Sequence, residues 1–253
     1  MKLKLILSYE GTSYCGWQVQ KNGVSVQEEL HDAVYCVYGQ RGKITGCSRT
    51  DSGVHANFYC CTVAFESEYT NIPIQKIPVA LNHFLPEDIS VISADYVSDE
   101  FHPRYDVLCK EYEYLIWNSC IRNPFYRNRA FVYPKTLDEK LMNQAAQLFV
   151  GKHDFASFMS SGSSVENTVR TIHYFNVLRK DEMVIIRVCA DGFLYNMVRI
   201  LVGTLIEISE KRINLCEIDD IIKSKDRKKA GFTAASMGLY LNKVIYRGDS
   251  NAT

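Results

Sequence analysis

The chain has 253 residues, 47% hydrophobic and 12% aromatic, the make-up of an ordinary globular protein with one large core or two modest ones. Lys and Arg balance Asp and Glu at 29 each, so the bulk charge does not advertise nucleic acid, and such a partner would have to be met by local charge. Nine cysteines without Cys-x-x-Cys spacing argue against a zinc site and a disulfide framework, and fit reduced thiols in a cytoplasm.

Met1–Tyr9 alternates Lys2 and Lys4 with Leu3, Leu5 and Leu7, a strand signature rather than the apolar run of a signal peptide. Ser25 with Glu28 three residues on reads as a capping box that starts a helix over Val26–Tyr38, and Gly39 stops it. Strands are predicted at Lys43–Cys47 and Phe58–Phe65, a short helix at Ile74–His83, and a strand at Ile89–Val97. Pro103 punctuates Asp99–Arg104, which sets a first domain at 1–104 and a second at 105–253.

The second domain opens on a long strand, Val107–Trp117. Thr136 with Glu139 is read as the cap of a helix running to Val150 and ended by Gly151. A hairpin follows, Val169–Leu178 and Met183–Cys189, turning at Lys180–Asp181. Then come a very apolar helix at Leu194–Ile208, a short helix near Glu217–Lys223 and a last strand, Leu239–Tyr246. Strands and helices in hairpin-like order make both halves α+β with largely antiparallel sheets.

Four groups of residues carry chemistry. Cys47-Ser48-Arg49-Thr50-Asp51-Ser52-Gly53-Val54-His55-Ala56 places Asp51 on a tight turn between two strands, where Gly53 admits positive φ. The carboxylate either satisfies nearby amides or points into a cleft. Arg199 lies in Gly192–Leu205, apolar nearly all round yet too short and interrupted to span a membrane. A guanidinium there keeps its proton and needs a carboxylate, structural or catalytic. Tyr112 and Tyr114 alternate with Glu111 and Glu113, so both rings share one face, either core or a surface on which a nucleobase stacks. Basic charge gathers at Lys223, Lys225, Arg227, Lys228 and Lys229, and at Arg122, Arg127 and Arg129 with Phe125 and Tyr126. Each is either solvated surface or a place for an RNA backbone.

The run Arg49–Ala56 resembles the signature of the tRNA pseudouridine synthase A family, and other blocks follow in that family's order. They are Tyr9–Thr12 with Gly16–Gln18, Leu81-Asn82, Leu85–Ile89, Phe101–Arg104, Lys110–Tyr114, His153–Phe155, Val169–Ile172, the Arg199 helix, and Ala230-Gly231 with Gly238–Leu241. The resemblance covers nearly the whole chain. It implies two related α/β subdomains meeting at a central active-site cleft, and an isomerase that converts uridine to pseudouridine at positions 38, 39 and 40 in the anticodon arm of tRNA. Asp51 matches the catalytic nucleophile and Arg199 its ion-pair partner; Tyr112, Arg49 and His55 match substrate-binding positions. A cytoplasmic homodimer with tRNA lying across both subunits is implied, with no metal, no cofactor and no membrane.

Two other readings of the same residues are a catalytically weak or inactive tRNA-binding module on that scaffold and a hydrolase using Asp51 with His55. The chain departs from the family pattern at Ser48, where glycine is common, at Phe232 and Ala235, where prolines are usual, and at Pro103 after His102. These departures bear on rate and on breadth of target positions.

Overall fold

The structure, a computed structural model, describes residues 2–66, 72–162 and 165–247. Its elements run β1 (Lys2–Tyr9), α1 (Val26–Tyr38), β2 (Lys43–Gly46), β3 (His55–Ala64), α2 (Ile77–Asn82), β4 (Ile89–Val97), β5 (Val107–Trp117), β6 (Phe131–Val132), α3 (Glu139–Gln147), β7 (Gly151–Asp154), β8 (Val169–Lys180), β9 (Met183–Ala190), α4 (Met197–Ser209), α5 (Ile218–Ser224) and β10 (Leu239–Tyr246). Helices and mostly antiparallel strands give the α+β class that the hairpin-like order predicts.

The chain divides into two compact units, Met1–Leu108 with Tyr240–Thr253, and Cys109–Leu239. The expected division into 1–104 and 105–253 differs mainly at the C-terminal end. The last strand returns to the first unit because Tyr240 and Leu241 pair in parallel with His55 and Ala56 of β3.

In the first unit β1 lies between β3 and β4, antiparallel to both, and β2 pairs with β3. The period-2 pattern of β1 sends Leu3, Leu5 and Leu7 into the core, each essentially without exposure. Helix α1 forms where its caps say it should. The Ser25 hydroxyl accepts the Glu28 N–H, Gly39 takes the left-handed conformation at φ 70°, and Val26, Leu30, Ala33, Val34 and Tyr38 line the buried stripe. The segment expected as one helix at Ile74–His83 splits into a 3-10 turn, Ile74–Lys76, and α2.

In the second unit β9 lies between β5 and β8, β7 extends the antiparallel order, and the two-residue β6 pairs in parallel with β5. Helix α3 packs on β8 and on α4. Its cap is Asp138 rather than Thr136, because the Asp138 carboxylate accepts the N–H groups of both Lys140 and Leu141. It also stops at Gln147, since Leu148, Phe149 and Val150 close as tight turns onto Ala145, Ala146 and Gln147, and Gly151 opens β7 instead of capping the helix. Helix α4 buries ten of its thirteen residues, as its composition requires. It begins at Met197 rather than Leu194, because Asn196 is left-handed at φ 59° and a helix does not propagate through that conformation.

Candidate active site

In the first unit the run Cys47–Ala56 connects β2 to β3 and is held from both sides by the opening segment of the chain. The Thr50 carbonyl accepts the Trp17 N–H at 3.2 Å, and the Thr50 hydroxyl shares a buried 2.9 Å hydrogen bond with the Tyr9 hydroxyl. Next to it, the Asp51 carbonyl accepts the Val54 N–H at 3.1 Å across a turn in which Gly53 has φ 75°. This supplies the positive φ that the sequence led one to expect of Gly53.

Two glycines let the segments approach this closely. A Cβ on Gly16, itself at φ 114°, would lie 2.3 Å from the Thr50 carbonyl oxygen, and a Cβ on Gly11 would lie 2.0 Å from the Val54 carbonyl oxygen. Beneath the loop Trp17 stacks on Tyr59 with ring centroids 4.0 Å apart, and Tyr9 packs against both. The Tyr59 hydroxyl donates to the Ser48 carbonyl, fixing the backbone just before Arg49. Burial pushes the Tyr59 hydroxyl well above its ordinary pKa, so it stays a donor.

On this frame Arg49 is exposed and Asp51 half-buried. His55 is different. It is 1% exposed, accepts the Gly11 N–H at its Nδ1 at 2.9 Å and stacks on Tyr240 at 4.6 Å. So enclosed, the ring ties the loop to the opening segment through Gly11 and to the last strand through Tyr240.

In the second unit Tyr112 and Tyr114 share the inner face of β5, as alternation predicts, and both are buried. Tyr112 packs edge-on against Phe193 at 5.0 Å. The Tyr114 hydroxyl donates to the Ala235 carbonyl at 2.7 Å, and burial raises its pKa far out of the working range. On the opposite face Glu111 accepts the Tyr174 hydroxyl and Glu113 pairs with Arg187 at 2.7 Å.

Arg199 sits in the first turn of α4. Its Nε–H donates to the Ala234 carbonyl at 2.7 Å and an Nη1–H to the Asn196 carboxamide oxygen at 2.8 Å. The Asn196 amide in turn donates to the Ser160 hydroxyl at 3.0 Å. The segment that receives Arg199 lies directly on the helix: a Cβ on Gly203 would meet the Phe232 carbonyl oxygen at 1.8 Å, and Gly231 donates its N–H to the Thr204 hydroxyl. Arg227 braces the same segment through Ala230, Gly231 and the Thr233 hydroxyl. The basic run at 223–229 is divided among different partners. Arg227 is spent internally, Lys225 pairs with Asp154 at 2.7 Å, and Lys223 faces Asp219.

The expected site residues thus divide between the units, Arg49, Asp51 and His55 in the first and Tyr112 and Arg199 in the second. Sequence reasoning did not single out Thr50, Asn196, Ala234 or Arg227 as parts of this frame. The detectable signal was indirect: a pair of glycines in the aperiodic stretch before Trp17, and an Asn one turn ahead of an Arg in an apolar helix. Among the described residues no three His, Cys, Asp or Glu side chains are grouped to hold a metal ion, and no helix is long and apolar enough to cross a membrane.

A family model described as tRNA pseudouridine synthase matches residues 5–106 and 145–247. Curated relatives named tRNA pseudouridine synthase A align over nearly full length. The one from Clostridium acetobutylicum is 45% identical over 244 residues, covering 96% of this chain and 99% of the relative. The one from Thermoanaerobacter sp. is 46% identical over 96% of this chain and 98% of the relative, and the one from Acetivibrio thermocellus 44% over 96% and 99%.

Proposed function

Because the chain belongs to the tRNA pseudouridine synthase family, we propose that it isomerises uridine to pseudouridine in the anticodon arm of tRNA, at positions 38, 39 and 40. The observation that supports this most directly is the Asp51 turn, a half-buried carboxylate on a loop fixed through Thr50, Gly16 and Gly53. Such a loop presents a carboxylate in one orientation, which is what attack on a sugar carbon needs.

In the proposed reaction Asp51 attacks C1′ as the N1–C1′ bond breaks. The freed uracil turns, a C5–C1′ bond forms as the carboxylate leaves, the C5 proton departs and N1 gains one. Substrate and product are isomers, so no electron acceptor or donor is consumed. Removal of the 2′ proton by the same carboxylate, giving a glycal, is the competing route. A 2′-deuterium isotope effect on the first turnover would assign the glycal route, and its absence the attack at C1′.

Arg199 is proposed to pair with Asp51 and keep it ionised, Tyr112 to stack on the target base, and Arg49 to occupy the space that the flipped nucleotide leaves. His55 serves by anchoring the loop. The working form is proposed to be a cytoplasmic homodimer with one tRNA across both subunits, which would let modest basic surfaces from two copies add.

Asp51→Ala should abolish tritium release from tRNA labelled at C5 of uridine while tRNA binding persists. Release by that variant would overturn the assignment of Asp51. Mapping pseudouridine in tRNA treated with the wild type tests the positions, and light scattering tests the dimer.

A further inference from the structure

The run at 118–130, where Arg122, Arg127 and Arg129 interleave with Phe125 and Tyr126, has no part in the proposed reaction. It also falls outside both stretches matched by the family model. Locally it is a built loop. Trp117 donates its ring N–H to the Ile121 carbonyl at 2.8 Å and stacks on Tyr126 at 5.2 Å. Asn123 caps the 3-10 turn Pro124–Tyr126 by accepting the Phe125 N–H at 3.0 Å, and the N–H groups of Arg129 and Ala130 return to the Tyr126 carbonyl.

On that frame two apolar side chains face water, Phe125 at 86% exposure and Ile121 at 78%. Two exposed apolar side chains on one hydrogen-bonded loop make a surface that a partner can cover. The charge around them identifies the partner. Residues 118–135 contain no Asp or Glu, and Arg122 and Arg127 are exposed without an ion-pair partner among the described residues. With no acid of its own to answer these guanidinium groups, the loop's charge selects a polyanion. RNA offers both a phosphate for each guanidinium and a π face for the ring.

We infer that the 118–130 loop docks RNA, with Phe125 stacking on an unpaired base and Arg122 and Arg127 binding the phosphates beside it. The identity of the RNA as tRNA rests on the function proposed above; the loop's geometry does not.

The test is direct binding of labelled tRNA to the intact protein over a range of salt concentrations. Phe125→Ala should weaken binding about five- to 150-fold, the range expected for one lost base stack, and Phe125→Tyr should restore most of it. Replacing Arg122 and Arg127 together by Gln should lower the slope of log affinity against log salt by roughly two. Because these side chains are exposed, thermal unfolding of all three variants should match the wild type. Unchanged tRNA affinity in Phe125→Ala overturns the inference, as does a drop in its molar mass by light scattering, which would make the loop a chain–chain contact. Wild-type protein that binds tRNA through Phe125 yet forms no pseudouridine would overturn the catalytic reading and uphold this one. Wild type that binds no tRNA would overturn both.

Discussion

Arg199 and Ala234 hold each other by two hydrogen bonds: the Arg199 Nε–H donates to the Ala234 carbonyl at 2.7 Å, and the Ala234 N–H donates back to the Arg199 carbonyl at 3.0 Å. The guanidinium is therefore aimed by two elements at once, the first turn of α4 and the segment that crosses it. A third contact, to Asn196, fixes rotation about the plane of the group. Held this way, the guanidinium has little rotamer entropy left to lose on meeting an anion.

Arg199→Lys tests that arrangement. Lysine keeps the charge but replaces a planar fork by a point, and it cannot serve Ala234, Asn196 and a carboxylate in one geometry. Single-turnover rates should fall roughly a hundredfold, the scale of a misplaced catalytic group, with a far smaller change in tRNA affinity. Asn196→Gly keeps the left-handed backbone, removes the bond to Arg199 along with the one to Ser160, and should cost about tenfold in the same rate. A wild-type rate in Arg199→Lys would show that the guanidinium acts by charge alone.

Gly16→Ala tests the Asp51 turn from the other side. The new Cβ would meet the Thr50 carbonyl oxygen at 2.3 Å while forcing Ala into φ 114°, so the backbone next to Asp51 has to move. Gly39 provides the control, since it also has positive φ, at 70°, but a Cβ there meets nothing within 4 Å. Both variants should lose stability, Gly39→Ala by about 1–2 kcal/mol from left-handed strain. Only Gly16→Ala should also lose catalytic rate, by roughly a hundredfold. Thermal melts beside tritium-release kinetics separate the two effects.

Ala235→Pro tests whether a departure from the family pattern changes the backbone. Ala235 already has φ −59° and ψ 147°, within the range proline imposes, and among the described residues its N–H donates no hydrogen bond. The variant should be more stable by about 0.4–1 kcal/mol through the unfolded chain, read as a higher midpoint in urea with an unchanged slope. Destabilisation would mean that this segment needs the freedom that alanine gives it.

How much of this was legible in the chain depended on the range of the interaction. Helix α1 was readable end to end because Ser25 and Gly39 are local signals that the structure uses. Strands β4, β5 and β10 were placed to the residue, since a half-buried strand writes its period into the sequence. The Thr136 cap failed because Asp138, two residues on, offers a stronger acceptor to the same turn. The C-terminal strand's return to the first unit was illegible, because parallel pairing with His55 and Ala56 is a long-range choice with no local mark. The buried state of His55 was hidden for the same reason, as it depends on Gly11 and Tyr240 from opposite ends of the chain.

Glu210 carries a pH dependence of opposite sign to that of a basic group. The Lys135 ammonium at 2.8 Å lowers its pKa below the ordinary 4.5, with the Tyr133 hydroxyl at 2.6 Å and the Arg212 guanidinium adding to the effect. Tyr133 is pushed the other way, up to about 12, by burial and then by its bond to the carboxylate, so it remains a donor at any working pH. A carboxyl whose folded pKa is depressed binds its proton more readily in the unfolded chain. Its contribution to stability is then complete above the unfolded value near 4.5 and is lost as pH falls through the lower folded value. Glu210→Gln should remove this dependence. Urea midpoints of wild type and variant should differ most above pH 5 and converge as pH is lowered toward 3, and a gap that widened on acidification would show that Glu210 is not held ionised.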